Sequence, residues 1–146
     1  MTQEAWQVRA WAPGRVEIAG NHTDHQGGRV VSAAVEQGIA MQLRARASGD
    51  LTAHVESEGY EPFVIDLSKL SPVSSERNTS AALVRGVVAG LAEKGLPIAG
   101  FDAFVTSTLP DGGGMSSSAA FELALAHGLV ALFGPLPDGR PLSHAE

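Results

Sequence analysis

The residues best suited to binding an anion lie in one glycine-rich stretch, residues 109–120, here called the glycine loop. Three consecutive glycines leave the turn without Cβ atoms, so backbone N–H groups can approach a ligand closely. The serines that follow place hydroxyls where a helix begins, a position that favours phosphate and a phosphate-bound Mg²⁺. A glycine-rich turn with serine caps would use the same residue types. The candidate anion-binding residues are Gly112, Gly113, Gly114, Met115, Ser116, Ser117 and Ser118.

A second polar cluster lies near the N-terminus, where Arg15 precedes a polar loop at residues 21–28. The loop begins with an amide, an imidazole, a hydroxyl and a carboxylate, from Asn21, His22, Thr23 and Asp24. Such groups can hold several hydroxyls of a sugar through paired hydrogen bonds, and a guanidinium suits a phosphate or a carboxylate. Thr23 and Asp24 could instead close a turn on their own backbone, and Arg15 could be a surface residue.

Composition limits the classes of partner. The 146 residues carry 10 lysines and arginines against 16 aspartates and glutamates, a net charge of −6, with no basic run. This balance argues against a nucleic-acid groove and an anionic membrane surface, and no apolar run reaches the ~18 residues of a membrane span. The absence of cysteine excludes disulfides and thiolate sites and is compatible with the cytoplasm. The two histidines beside Asp24 are too small a ligand set to indicate a metal site.

Hydropathy alternation predicts strands in the first third of the chain. Residues 6–12 alternate and end at a Pro13–Gly14 turn. Residues 15–20 then form a second short strand, and residues 29–36 are strand-like. The polar loop at residues 21–28 connects these last two segments. The pattern therefore predicts three short strands before residue 37.

The next alternating segments predict a meander. Residues 39–45 alternate, and the pattern resumes over residues 51–55 after a Ser-Gly-Asp turn, which predicts a hairpin between the two segments. A further strand covers residues 63–67. We expect these strands to pair in an antiparallel manner, with one face of the sheet buried.

Two helices flank one more strand in the C-terminal half. Residues 78–80 can cap a helix with a periodic apolar face over residues 83–91, and Lys94–Gly95 ends it. Residues 101–109 alternate as a strand that leads into the glycine loop. The helix after the loop is apolar around most of its circumference, so it should be buried on several sides. Its apolar residues are Ala120, Phe121, Ala124, Leu125, Leu129, Leu132 and Phe133.

The last four residues, Ser143 to Glu146, form the Ser-x-x-Glu pattern of a capping box, which marks the start of a helix. No helix follows it, so we expect the chain to be cut from a longer protein. Residues 1–146 would then form one N-terminal domain whose C-terminal partner domain is absent. The apolar surface that such a domain would cover is expected to cause self-association.

Two segments resemble motifs of the GHMP kinase superfamily and, within it, of the galactokinases. Residues 12–28, APGRVEIAGNHTDHQGG, look like the galactokinase signature APGRVNLIGEHTDYNxG. Residues 110–120, PDGGGMSSSAA, look like the ATP motif PxGxGLSSSAA. The resemblance follows the same order and spacing along nearly the whole chain. It implies an α+β (α/β) domain similar to the second domain of ribosomal protein S5, with a mixed, mainly antiparallel sheet and helices packed on one face.

The resemblance also implies roles for the residues of both clusters. Arg15 would lie beside the transferring phosphoryl group and stabilise its charge, and the loop from Asn21 to Asp24 would bind sugar hydroxyls. Residues 112–118 would wrap the phosphates of ATP, with Ser118 as a ligand of Mg²⁺, and Ser57 would lie near the nucleotide. The implied reaction is transfer of phosphate from ATP to the 1-hydroxyl of galactose, which depends mainly on positioning and charge stabilisation.

Three positions depart from the family's pattern. Asn21 replaces a Glu, His25 replaces a Tyr, and Ser80–Ala81–Ala82 stands where galactokinases commonly carry a Trp near the adenine. The first change leaves other GHMP kinase substrates open, such as arabinose, N-acetylgalactosamine or a non-sugar alcohol, and a non-catalytic sugar-sensing protein is a further alternative. In the family, the catalytic Asp, a Glu ligand of Mg²⁺ and a second glycine-rich motif come later in the chain. The 146 residues alone are therefore expected to lack galactokinase activity.

Overall fold

Five strands and two helices make up the part of the chain that the computed structural model describes, which is residues 5–20, 29–110 and 112–139. The strands are β1 (Val8–Ala19), β2 (Val31–Ala45), β3 (Thr52–Ser57), β4 (Phe63–Asp66) and β5 (Phe101–Ser107). The helices are α1 (Ser80–Glu93) and α2 (Ser117–Phe133), and a 3-10 turn spans Ser74–Glu76. Within these ranges, neither helix has the length and apolar character needed to cross a bilayer.

The strands form one sheet in the order β1-β2-β5-β3-β4. All neighbouring strands are antiparallel except β3 and β5, so the predicted mixed, mainly antiparallel sheet is confirmed. The predicted hairpin between β2 and β3 is wrong, because β5 lies between them. The inward residues of β5, Phe101, Ala103 and Val105, are buried. The two edges of β5 form hydrogen bonds with the backbone groups of β2 and β3. Alternation along β2 and β3 cannot reveal a strand that is inserted from so far along the chain.

The predicted Pro13–Gly14 turn is also wrong, since β1 continues through it as a single strand. Among the described strands, β1 pairs with β2 alone, so the missing N–H of Pro13 can face the open edge of the sheet. The register shifts between Pro13, opposite Gly38, and Arg15, opposite Ala34. This irregularity accommodates the proline and changes the direction of the strand. The strand-like segments predicted at residues 29–36 and 39–45 likewise form one continuous strand, β2.

Both helices cover one face of the sheet, as predicted. Helix α2 packs on β1 and β2, and α1 packs on α2 and on the β4 end of the sheet. The caps of α1 are those expected: the Thr79 hydroxyl accepts a hydrogen bond from the Ala82 N–H at 3.4 Å, and Gly95 adopts a positive φ of 86°. The largest fully buried side chains are Phe101, Met41, Leu43, Ile65, Leu125, Leu129, Val55, Val84 and Val88.

Helix α2 lies so close to the sheet that a methyl group at Gly128 would have no room. A Cβ there would lie 2.5 Å from Leu43 Cδ1 and 3.4 Å from Ala10 Cβ, and Leu43 is fully buried. Gly128→Ala should therefore lower the free energy of unfolding by about 1–2 kcal/mol despite the better helix propensity of alanine. Gly86→Ala on α1 is the matched control, since no described atom beyond its chain neighbours and the adjacent backbone of its own helix lies within 4 Å of its Cβ, and it should raise stability by up to about 1 kcal/mol. Equal urea midpoints for the two variants would contradict this packing.

Candidate phosphate and nucleotide site

The backbone of the glycine loop forms a concave surface. Gly112, Gly114 and Ser116 have positive φ angles of 68°, 63° and 56°, whereas Gly113 and Met115 between them do not. Alternation of this kind turns successive N–H groups toward one side, which is the geometry of an anion-binding nest. Ser116 adopts a left-handed conformation without being glycine, at a cost of order 1 kcal/mol. Such strain at a non-glycine residue is characteristic of functional loops, and here it directly precedes the N-terminus of α2.

Hydrogen bonds from neighbouring strands fix the entry to the loop. The Thr108 N–H donates to the Gly38 carbonyl at 3.0 Å, and the Gly38 N–H donates to the Thr108 hydroxyl at the same distance. The Leu109 N–H donates to the Ser107 hydroxyl at 3.1 Å. Residues 109–118, apart from the undescribed position 111, line a small cavity of about 310 Å³. The loop therefore leaves β5 in a defined direction and encloses a space at the positive end of α2.

Strand β1 touches the glycine loop directly. The Arg15 N–H donates to the Met115 carbonyl at 2.9 Å. Gly14 makes this approach possible, because a Cβ at that position would lie 2.4 Å from Leu109 Cδ2 and 3.0 Å from the Met115 oxygen. The side chain of Arg15 is exposed. The structure thus brings the backbone of the predicted arginine against the predicted phosphate loop, although the two are far apart in the sequence.

The predicted sugar-binding residues lie outside the described part of the chain. They are Asn21, His22, Thr23 and Asp24, and they follow Gly20, which comes directly after β1. Their roles remain predictions. The last described residue before them, Gly20, follows the strand whose Arg15 N–H donates to the Met115 carbonyl.

Ser57 lies on the same side of the molecule as the loop. Strands β3 and β5 are parallel, and Ser57 pairs with Val105, so the C-terminal ends of both strands lie at the same end of the sheet. A groove of about 910 Å³ lies at this end of the sheet, and both Ser57 and Ser118 line it. Ser80 and Ala81 line the same groove, where the family's Trp would be expected. Ser57 and the end of the glycine loop therefore face one groove, and the role of Ser57 near a nucleotide stays a prediction.

A buried ion pair that the sequence did not reveal attaches Glu76, which lines this groove, to helix α1. Arg85 is 7% exposed and binds Glu76 through two parallel hydrogen bonds of 2.7 and 2.8 Å. It also donates to the carbonyl of Lys69. The hydrogen bonds from Arg85 lower the pKa of Glu76 and raise that of Arg85. The signal in the sequence was a single cation within the apolar segment at residues 81–91, which requires a partner if it is buried.

A second charged cluster lies on the sheet face away from the helices. The Arg46 guanidinium bridges Asp50 at 2.8 Å and Asp102 at 2.6 Å, and Arg44 binds Asp102 at 2.7 Å. Hydrogen bonds from Thr52 and Arg46 lower the pKa of Asp50 to about 2. Burial raises the pKa of Asp102, but its two arginine partners outweigh that effect and lower it. These charges compensate one another and tie β2 to β5, so they form a structural cluster rather than an anion site.

The described residues contain no group of three or more His, Cys, Asp or Glu side chains able to hold a metal ion by themselves. A metal at the glycine loop would need oxygen ligands from the loop hydroxyls and from a bound phosphate. Ser118 is exposed and lines both the small cavity and the groove. Its hydroxyl is therefore available at the point where the two spaces meet.

Two family models match this chain. Residues 3–45 match the galactokinase galactose-binding signature, and residues 80–146 match the N-terminal domain of GHMP kinases. The chain belongs to the GHMP kinase superfamily. Within that superfamily it is similar to the N-terminal portion of galactokinases: it is 35% identical over 122 residues to one from Streptomyces coelicolor and 37% identical over 119 residues to one from Chloroflexus aurantiacus.

These alignments cover 84% and 81% of this chain but only 31% and 30% of the two relatives, so the chain spans about a third of their length. Among solved structures, a Lactococcus lactis galactokinase complexed with galactose is similar with a TM-score of 0.77 and 29% identity, covering 90% of this chain and 34% of that one. A Methanococcus jannaschii mevalonate kinase shares the fold, with a TM-score of 0.71 at 14% identity over 88% of this chain and 41% of that one. The expected fold is confirmed.

Proposed function

We propose that this chain forms the nucleotide-binding and sugar-binding part of an ATP-dependent sugar 1-kinase whose substrate is galactose. The observation that carries the proposal is the hydrogen bond from the Arg15 N–H to the Met115 carbonyl, permitted by Gly14. It joins the strand of the galactose signature to the loop that resembles an ATP motif. A phosphoryl group held by the loop and a sugar held after β1 would therefore meet beside Arg15, as transfer between them requires.

Each part of the chain has a role that follows from its position. The N–H groups of the glycine loop and the N-terminus of α2 would bind the phosphates of ATP, and the Arg15 guanidinium would stabilise charge on the transferring group. Asn21, His22, Thr23 and Asp24 would orient the sugar. We propose, from the family resemblance, that the catalytic Asp and the Glu ligand of the metal come from a further segment of the full-length kinase. Residues 1–146 would then be one domain of that enzyme.

The residues of the loop fit Mg²⁺ bound together with the nucleotide. Mg²⁺ takes oxygen ligands and is usually held by one or two protein groups, substrate phosphates and water, which suits an exposed Ser118 hydroxyl without a preformed metal cage. When bound, the ion would neutralise charge on the phosphates. Ser118 would hold it at the mouth of the 310 Å³ cavity.

Calorimetric titration of the chain with ADP and Mg²⁺ tests the site. Ser118→Ala is expected to weaken binding about three- to tenfold, the effect of losing one ligand or hydrogen bond. Ser48→Ala, at an exposed serine in the turn between β2 and β3, should leave the affinity unchanged. In EDTA the difference between wild type and Ser118→Ala should disappear if the hydroxyl acts through the metal. No binding of ADP by the wild-type chain would overturn the nucleotide assignment.

A sugar panel tests the substrate. We expect no phosphorylation of galactose by the 146 residues alone, and phosphorylation of galactose by a longer protein that contains them. Asn21 is the specific reason to include arabinose and N-acetylgalactosamine, since the change from Glu removes a charged hydrogen-bond acceptor. Asn21→Glu should shift the preference toward galactose if that position contacts the sugar. Sugar-dependent turnover of ATP by the isolated chain would contradict the proposed division of the site.

The chain exposes several large apolar side chains near the β1–β2 end of the sheet. Trp11, Ile18 and Val31 are 55%, 65% and 57% exposed. We propose that other parts of the enzyme cover them and that the isolated chain self-associates through them, which light scattering would show. We also propose a cytoplasmic location, with which the absence of cysteine is compatible.

A further inference from the structure

The larger groove has more volume than the phosphates of a nucleotide would fill. The 910 Å³ groove and the 310 Å³ cavity share residues 109–110, 112, 117 and 118, so one ligand could occupy both. Pockets for small molecules have volumes of roughly 300–1,000 Å³. An anion in the small cavity would leave the rest of such a ligand in the larger groove. The composition of that groove should therefore indicate what is attached to the phosphates.

Small side chains line the groove at the start of α1. Ser80 and Ala81 occupy the wall where galactokinases commonly carry a Trp near the adenine. Neither residue offers a flat apolar surface to a planar ring. If a base occupies the groove, another element must supply the stacking surface.

The turn between β3 and β4 supplies an aromatic ring to the same groove. Tyr60 lines it and is 66% exposed. Two other aromatic residues line the groove, but Phe63 is half-buried and Phe121 is only 6% exposed, since both pack with the core. Of these three rings, that of Tyr60 has the most surface available to a ligand.

The backbone holds Tyr60 in a defined position relative to Ser57. The Tyr60 N–H donates to the Ser57 carbonyl at 3.0 Å, which closes a tight turn, and Gly59 in that turn has a positive φ of 82°. The Glu58 N–H donates to the Val105 carbonyl at 3.0 Å, which ties the turn to β5, the strand that leads into the glycine loop. The aromatic ring and the phosphate loop therefore project from the ends of two adjacent parallel strands.

We propose that Tyr60 is the base-stacking residue of this chain and takes the place of the missing Trp on a different wall of the groove. The proposal rests on the nucleotide site proposed above and adds to it a residue that discriminates nucleotides from bare polyphosphates. A base stacked on an aromatic side chain gains an affinity that alanine substitution removes, typically by a factor of about five or more. Tyr60 contacts the base alone, so the phosphates are bound independently of it.

The test compares two ligands that differ in the nucleoside. The dissociation constants of Mg-ADP and Mg-pyrophosphate are measured by calorimetry for the wild-type chain, Tyr60→Ala and Tyr60→Phe. We expect Tyr60→Ala to weaken ADP binding about five- to thirtyfold and leave pyrophosphate binding unchanged, and Tyr60→Phe to bind both as the wild type does. Val64→Ala, at an exposed apolar side chain on the opposite face of the sheet, should change neither constant.

The possible failures are distinct. Equal weakening of both ligands by Tyr60→Ala would show that Tyr60 supports the loop rather than the base, and an unchanged ADP affinity would show that it contacts neither; both results overturn the proposal. A wild-type chain that binds pyrophosphate as tightly as ADP would also overturn it, while the phosphate site would stand. Failure of the wild-type chain to bind either ligand would overturn the nucleotide site and this proposal together.

Discussion

Gly14→Ala is expected to weaken Mg-ADP binding by this chain at least tenfold and to lower its free energy of unfolding by about 1–3 kcal/mol. The added Cβ would lie 2.4 Å from Leu109 Cδ2 and 3.0 Å from the Met115 oxygen. Leu109 is buried and the Met115 oxygen belongs to the backbone, so we expect β1 and the glycine loop to move apart. Separation would break the hydrogen bond from the Arg15 N–H and release the loop from the geometry that aligns its N–H groups.

Loss of stability alone could reduce binding, and Gly128→Ala controls for it. That substitution also adds a methyl group against a buried leucine, but the methyl lies between α2 and Leu43, away from the loop. The two variants should lose similar stability in urea titrations, whereas only Gly14→Ala should lose affinity for ADP. Similar affinities for the two variants would show that the contact between β1 and the loop does not order the phosphate site.

Arg85→Met is expected to lower the melting temperature by about 4–10 °C at pH 7. Methionine fills the volume of the arginine stem but leaves Glu76, whose side chain is 21% exposed, without its cation, and removes the donor to the Lys69 carbonyl. The segment around the 3-10 turn would then lose its attachment to α1. Because Glu76 lines the groove, ADP binding should also weaken, with pyrophosphate affected less. Arg77→Met, at an exposed arginine of the same segment, should change the melting temperature little.

The stability that the ion pair between Arg85 and Glu76 contributes depends on pH, and the sign of this dependence follows from the pKa of Glu76. Arg85 holds the pKa of Glu76 below its ordinary value of 4.5, so folding favours the ionised carboxylate. Its stabilisation is fully present above pH 4.5 and is lost as the pH falls through the lowered pKa. The difference in melting temperature between wild type and Arg85→Met should therefore be constant from pH 7 to pH 5 and shrink below pH 4. A difference that grows on acidification would exclude the ion pair as its cause.

Local signals in the sequence were sufficient to predict the helices and the turn at the glycine loop. Thr79 and Gly95 cap α1 as their residue types require, and the glycine loop leads directly into α2 because glycine and serine are suited to that turn. These features depend on hydrogen bonds between residues close in the sequence. The turn at the glycine loop and the start of α2 could accordingly be predicted before the fold was known.

Features that depend on distant partners could not be predicted from local signals. The predicted hairpin between β2 and β3 was wrong because β5, about 50 residues further along the chain, forms hydrogen bonds with both strands. Pro13 is tolerated in β1 because that strand lies at an edge of the sheet. Arg85 is buried in the fold only because Glu76 and the Lys69 carbonyl meet it. The contact between Arg15 and Met115 likewise has no signature in either segment alone, and only the family resemblance suggested that the two would meet.

The insertion of β5 between β2 and β3 also has a kinetic consequence. Gly38 and Thr108, which bond to each other beside this strand, are 70 residues apart, so the sheet closes late and through a long loop. During synthesis, β1–β2 and β3–β4 would exist first as two separate hairpins with unpaired inner edges, waiting for the strand that joins them. High contact order of this kind slows folding and prolongs the exposure of aggregation-prone edges. The same strand that aligns Ser57 with the glycine loop is therefore also the last of the described strands to be synthesised.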